Sequence, residues 1–199
     1  MTMWDQQFAG EAFKYGTEPN AFLRREAGRL PTVARVLVPG DGEGRNGVWL
    51  ATQGHRVVAM DSSTVGLRKA ARLAAERGVD IETVHGDLAN WVPEAGSFDA
   101  VVLTYVHLPP DLRPDAHRRL AGALKAGGLL LLEGFHPLQL GCSSGGPKQV
   151  EWLYRLEDLR RDFQGVLAEV SSEESAITLD EGPGHQGPAW VTRYIGRRI

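Results

Sequence analysis

The sequence predicts an α/β protein built on a doubly wound, mostly parallel sheet with helices on both faces. Three observations predict it. Five short apolar runs, at 34–38, 56–60, 81–85, 98–103 and 129–133, are mostly continuous rather than alternating, as strands covered on both faces should be. Helical patterns separate them, and strand–helix alternation builds parallel sheets. A last pair of strand-like runs, 167–179 and 189–195, is joined by the Gly/Pro cluster DEGPGHQGP and reads as an antiparallel hairpin.

The elements follow in order. The first 22 residues carry Trp4, Phe8, Phe13, Tyr15 and Phe22, five of the fifteen aromatics in the chain. That density predicts an ordered cap, spanning residues 1–30, over a site. Ser62 or Ser63 can cap a helix carrying Leu67, Ala70, Ala71 and Ala74, which Gly78 ends. Leu112, Ala116, Leu120, Ala123 and Leu124 form the apolar stripe of a further helix, closed by Gly127-Gly128. Residues 137–150, PLQLGCSSGGPKQV, form a Gly/Ser-rich segment that is long for a compact domain and therefore mobile or functional. A helix with Leu156, Leu159 and Phe163 follows, then the C-terminal hairpin, 166–199.

Length and charge bound the function. A chain of 199 residues predicts one domain with a single large core. A net charge of −3 argues against a nucleic-acid partner. One cysteine, Cys142, cannot form an internal disulfide, which fits a reducing compartment. The start, MTMWDQQF, lacks the pattern of a signal peptide, and the longest apolar stretch, 127–135, is too short to span a bilayer. The expectation is a cytoplasmic enzyme, a monomer or homodimer, acting on a small molecule without membrane or nucleic acid.

The stretch LVPGDGEGRNGVWLA, 37–51, carries the chemistry. Gly42, Gly44 and Gly47 spell G-x-G-x-x-G, the dinucleotide fingerprint, whereas Gly40, Gly42 and Gly44 spell G-x-G-x-G. Asp61 ends the second strand, nineteen residues after Gly42, where an acid can hold ribose hydroxyls of either ligand. The strand before the loop ends at Val38-Pro39, so Gly40 already belongs to the turn. Asp87, in HGDLANW after the third strand, is placed to accept from an adenine amino group. No Tyr stands four residues before a Lys, and no second substrate domain fits. These features favour S-adenosylmethionine over a nicotinamide dinucleotide.

The loop GEGRN, GSFDAVVLTYVHLPP at the fourth strand and LKAGGLLLLEGF at the fifth resemble the class I S-adenosylmethionine-dependent methyltransferases. Within them the chain is similar to the small tellurite-resistance and thiopurine-type enzymes, and WDQQF…YGTEPNAFL and QL…GGPK…LY are similar to one bacterial branch. The resemblance covers nearly the whole chain. It implies a Rossmann-like sheet of seven strands with an antiparallel last strand, and S-adenosylmethionine as cofactor with S-adenosylhomocysteine as product. It also implies a carboxylate near the end of the first strand, where this chain has Val38; Asp41 is the nearest substitute.

The candidate cofactor-binding residues are Tyr15, Gly40, Asp41, Gly42, Gly44, Arg45, Asn46, Asp61, Ser62, Asp87, Leu88 and Thr104. Tyr105, His107 and His136, at the carboxyl ends of the fourth and fifth strands, are the catalytic candidates, because α/β sheets bind ligands at that edge. No histidine pair has metal-ligand spacing, so no metal is expected. The absence of an evident base favours a soft acceptor such as a thiol or a chalcogen oxyanion. The alternatives are a nicotinamide-dependent oxidoreductase and a non-catalytic cofactor-binding module.

Overall fold

The computed structural model describes residues 2–199; Met1, the first residue of the expected cap, lies outside them. The strands are β1 (Arg35–Pro39), β2 (Arg56–Asp61), β3 (Glu82–His85), β4 (Phe98–Thr104), β5 (Leu124–Phe135), β6 (Leu167–Asp180) and β7 (Gln186–Arg198). They form one seven-stranded sheet in the order β3-β2-β1-β4-β5-β7-β6. β3, β2, β1, β4 and β5 run parallel, while β7 is antiparallel to both β5 and β6. The helices are α1 (Met3–Gln7), α2 (Ala21–Glu26), α3 (Arg45–Thr52), α4 (Thr64–Glu76), α5 (Arg113–Gly122) and α6 (Leu156–Phe163).

Both faces of the central strands are buried, which is why those runs are apolar without alternation. Leu37, Val101, Leu103, Leu130 and Leu132 face one layer, with Leu120 of α5 and Leu159 and Phe163 of α6. Their neighbours Val36, Val38, Val102 and Leu131 face the other, with Phe22 and Leu23 of α2 and Leu50 of α3. Val38 is therefore a core residue pointing away from the loop. Phe22, Leu23 and Leu30 likewise belong to the core, so only the chain before α2 is free to cover the sheet edge.

Ser63, not Ser62, caps α4: its hydroxyl accepts from Gly66 N at 3.0 Å. α5 ends at Gly122, five residues before the expected Gly127, and Leu124 belongs to β5. The cause is local. The amides of Gly96, Ser97 and Phe98 take the carbonyls of Gly122 and Ala123, at 2.9–3.0 Å, and draw the chain into the sheet beside β4.

The Gly/Ser-rich segment contains short 3₁₀ turns at Pro137–Gly141 and Val150–Trp152. The buried Gln139 side chain ties it down, donating to Ser144 Oγ at 2.9 Å and accepting from Trp190 N at 2.9 Å.

Candidate functional site

Strand order reverses between β1 and β4, and at such a switch point the carboxyl ends of the strands leave a crevice. The glycine loop fills its floor. Gly40, Gly42 and Gly44 all have left-handed backbones, with φ of +67°, +58° and +90°. A Cβ on Gly44 would stand 2.6 Å from Ala70 Cβ, so the loop can lie flat on α4 only as glycine. Gly47 serves another purpose. It lies inside α3, and a Cβ there would stand 2.3 Å from Asp41 Oδ2.

Asp41 is turned back under the loop. Its carboxylate accepts from Gly47 N at 3.1 and 3.2 Å, at the start of α3. Burial, with Asp61 nearby, raises its pKa to about 7. The side chain that was to replace the missing acid at Val38 is thus engaged in holding the loop. Asp61 closes β2 and accepts from Gly42 N and Ser63 N, each at 2.8 Å; burial raises its pKa. β2 and β3 pair in parallel register, Asp61 opposite His85, so Asp87 follows on the same edge. Asp87 is exposed, with one oxygen accepting from Ala89 N at 2.9 Å. Ser62 and Leu88 adjoin these acids; the Ser62 carbonyl meets His85 Nε2, and the Leu88 carbonyl accepts from Arg119.

Arg45 and Asn46 are buried, not solvated. Arg45 Nη2 donates to Glu181 at 2.9 Å, while its Nη1 is buried without a partner. Asn46 donates to Thr104 Oγ1 at 2.7 Å and accepts from Asn20 N at 2.9 Å. Asn20 in turn donates to Glu133 at 2.6 Å and to Glu181 at 3.1 Å. Arg193 Nε donates to the other Glu133 oxygen. Two carboxylates, Glu133 and Glu181, thus meet two guanidiniums, Arg45 and Arg193, on buried ground at the switch point.

The Tyr105 hydroxyl donates to Glu133 at 2.8 Å, and its backbone is left-handed, φ +55°. Burial pushes its pKa well above the usual value, so it stays a neutral donor. Its ring stacks on Phe135, centroids 4.5 Å apart, and meets His185 edge-on at 4.5 Å. Tyr15 covers the other side of His185 at 4.6 Å. Tyr15 therefore joins Tyr105, Phe135 and His185 in one aromatic cluster beside Arg45.

Two histidine candidates are occupied elsewhere. Phe135 N donates to His107 Nε2 at 3.0 Å, which places the ring proton on Nδ1, where it donates to the Trp152 carbonyl at 2.8 Å. Burial lowers the pKa of His107 to about 4. This neutral imidazole bridges β5 to the segment before α6 and has no nitrogen left for a proton. His136 turns away from the cluster: its Nδ1 accepts from Leu138 N at 3.2 Å, and its ring tilts on Trp190. Of the three catalytic candidates only Tyr105 brings its polar group to the cluster; His107 touches it through its ring, stacked on Phe135 at 5.8 Å, with both nitrogens engaged.

Asn20, Glu133, Glu181, His185 and Arg193 were not among the expected site residues. For Glu133 a signal existed, since a carboxylate at the end of LLLL in a buried strand needs a partner. Among the described residues no three His, Cys, Asp or Glu side chains converge as metal ligands, and no helix is long and apolar enough to cross a membrane.

The donor set fits S-adenosylmethionine: a left-handed glycine turn free of side chains, acids closing β2 and following β3, and aromatic rings with carboxylates where a cation would lie. Residues 36–128 match the methyltransferase domain family. No curated protein sequence matches. Among solved structures, the chain is similar to a protein that converts a disulfide bond into a thioacetal group during echinomycin biosynthesis, with TM-score 0.79 and 18% identity over 98% of this chain and 91% of that one. TehB from Haemophilus influenzae superimposes with TM-score 0.72 at 17% identity, over 98% of this chain and 66% of that one. A TehB-like S-adenosylmethionine-dependent methyltransferase from Corynebacterium glutamicum gives 0.66 at 22% identity, over 98% and 93%. Residues 36–128, from β1 into β5, are thus a methyltransferase domain, on the sheet order of the Rossmann-like S-adenosylmethionine-dependent methyltransferase fold.

Proposed function

We propose that the enzyme methylates a small soft nucleophile, a thiol or a chalcogen oxyanion. The observation that carries this is the aromatic and carboxylate cluster beside the glycine loop. Tyr15, Tyr105 and Phe135 with Glu133 and Glu181 suit a sulfonium, which rings and carboxylates both attract. His107 has no free nitrogen and His136 turns away, so neither supplies a base there. Alignment and exclusion of water then carry much of the methyl transfer, and that suits an acceptor whose proton a weakly basic group can take. Chemistry at sulfur in the echinomycin neighbour agrees with this choice.

The cofactor lies over Gly40, Gly42 and Gly44. Asp61 takes the ribose hydroxyls and Asp87 the adenine amino group, with Ser62 and Leu88 beside them. Tyr15, Asn46 and Thr104 flank the methionine end. Arg45 answers for the missing acid at Val38: its buried, unpartnered Nη1 is a donor for the cofactor carboxylate.

Calorimetry with S-adenosylhomocysteine and with NAD tests the cofactor. Asp61→Ala should weaken S-adenosylhomocysteine binding by roughly 1–3 kcal/mol, the cost of hydrogen bonds left unmade. Labelled donor with a panel of thiols, oxyanions, halides and small phenols tests the acceptor. Turnover confined to phenols would refute the soft-acceptor assignment.

A further inference from the structure

His185 lies in the aromatic cluster, but its ring nitrogens have no chemical role in anything described so far. It lies in the turn between β6 and β7, is 5% exposed, and its Nδ1 is buried without a hydrogen-bond partner. A buried imidazole nitrogen stripped of water and left unpaired is destabilising unless something binds it. The surroundings are built around this ring. Tyr15 and Tyr105 flank it, and Phe135 stands edge-on at 5.6 Å. The Gly/Ser-rich segment passes it as glycine: a Cβ on Gly145, whose φ is +113°, would stand 3.1 Å from His185 Cδ2. Chain from the N-terminal segment, the ends of β4 and β5, the 137–150 segment and the hairpin turn therefore packs around this ring, whose Nδ1 is left unpaired.

We propose that His185 binds the methyl acceptor and takes its proton, and that the acceptor is a small thiol presenting S–H to Nδ1. This rests on the methyl-transfer assignment above. With the ring proton on Nε2, Nδ1 offers a lone pair to the thiol. The thiol sulfur attacks the methyl carbon, and the bond from that carbon to the cofactor sulfonium breaks, its electron pair staying on the cofactor sulfur. The S–H proton passes to Nδ1. The positive charge that began on the sulfonium ends on the imidazolium, so the net charge of the site is unchanged. The proton leaves to water when the products do.

The titratable and charged groups facing the ring are Tyr15, Arg45, Tyr105, His107 and Glu181, with Glu133 behind Tyr105. Burial, then Arg45 and His107, lower the pKa of His185 to about 3, so the ring is neutral before reaction and takes the proton only as the forming C–S bond makes the S–H strongly acidic.

The test uses the 199-residue protein with S-adenosylmethionine and a series of small alkanethiols, which keep their S–H across the pH range used, with selenite as an acceptor that brings no S–H. Wild type should methylate the thiols with a rate nearly flat between about pH 6 and 8, because the proton is taken within the site. His185→Phe keeps the ring volume and should lose about 10²–10⁴-fold in kcat for thiols, with a rate that now climbs with pH as free thiolate accumulates. Selenite turnover, where wild type shows it, should fall far less. His185→Asn, which keeps an acceptor near Nδ1, should recover part of the loss. A second readout needs no turnover: in wild type loaded with S-adenosylhomocysteine, ethanethiol should shift the His185 Nδ1 resonance in ¹⁵N spectra. Wild-type rates and a flat profile in His185→Phe would overturn the proposal, as would an unmoved Nδ1 resonance or wild type that methylates no thiol. If wild type fails to bind S-adenosylhomocysteine at all, the methyl-transfer assignment falls first and this proposal with it.

Discussion

Arg45 and Glu181 form a buried ion pair at 2.9 Å between residues 136 positions apart in the chain. One opens α3 behind the glycine loop; the other sits in the turn of the C-terminal hairpin. The pair binds the glycine loop to the turn that carries His185.

Breaking that pair should be costly. Glu181→Gln leaves the Arg45 guanidinium buried without its counter-charge, and removing one partner of such a pair costs about 3–5 kcal/mol. The double variant Arg45→Met, Glu181→Gln should lose less than the two single losses added. Urea unfolding of the three variants measures this. Additive losses would mean that the two side chains are not coupled.

The glycine loop should not tolerate a methyl group at Gly44. Its φ of +90° strains any L-residue, and the added carbon would stand 2.6 Å from Ala70 Cβ and 2.7 Å from Ala70 Cα. Gly44→Ala should destabilise by about 1–3 kcal/mol and lower cofactor affinity, because loop and α4 must separate. Gly54 offers the control. It also has a left-handed backbone, φ +89°, but nothing lies within 4 Å of an added Cβ, so Gly54→Ala should carry the backbone strain alone. Equal losses at both positions would remove the close approach as a cause.

Asp41 should make stability depend on pH in an unusual direction for a carboxylate. Its pKa in the folded protein, about 7, lies above that of an Asp in the unfolded chain. The folded state therefore holds a proton that the unfolded state has released. Its contribution is fully present below the unfolded pKa and is lost as pH rises from near 4 through about 7. His107 works in the opposite sense, since its folded pKa, about 4, is depressed. The clean quantity is the difference between wild type and Asp41→Asn, whose amide oxygen can still accept from Gly47 N. That difference should shift in favour of the variant by up to about 1.4 kcal/mol per pH unit across the window, the value of one proton. Denaturant midpoints at pH 4, 5, 6 and 7 give it, roughly unit steps across that window. Parallel curves would place the Asp41 pKa at its ordinary value.

What the sequence discloses here depends on distance along the chain. The apolar runs of β1, β2, β4 and β5 are legible because burial on both faces leaves its mark inside a few residues, whereas β3, at the sheet edge, is largely exposed. Gly40, Gly42 and Gly44 are legible for the same reason: each left-handed turn is a local demand. Asp61 reads out because it ends a strand at a set spacing from the loop. Glu181 does not, because DEGPG looks like any solvated turn until Arg45 and Asn20 come from the other end of the chain to meet it. Glu133 lay inside a strand counted as apolar, and its partners Tyr105, Asn20 and Arg193 come from three separate elements. The end of α5 is not legible, because its apolar stripe runs on into Leu124, while the amides of Gly96–Phe98 that end it belong to another loop.

The N-terminal segment should cover the cofactor site, and Lys69 should hold it there. The Lys69 ammonium is buried on α4, where it donates to the carbonyls of Gly10 at 2.8 Å and Ala12 at 2.7 Å and pairs with Glu43 of the glycine loop. Glu43 also accepts from Lys14 N at 2.7 Å. Phe8, stacked on Trp4, lies against Gly42 and Gly66, and Asp5 accepts from the Ser63 hydroxyl at 2.7 Å. Residues 2–16 are thus fastened to the loop and to the start of α4 largely through polar contacts, with Tyr15 at their far end resting on His185. Few of these side chains reach the main core, so the segment can open without unfolding the sheet. Lys69→Met keeps the length of the stem and removes the charge. It should raise amide hydrogen exchange in residues 5–16 of the free protein by an order of magnitude or more, while β1 and β4 exchange as before. S-adenosylhomocysteine should slow exchange in the same residues of wild type. If the segment exchanges as slowly as β4 with and without ligand, or if deleting residues 1–16 leaves S-adenosylhomocysteine affinity intact, these aromatics only extend the core and the site has no cover.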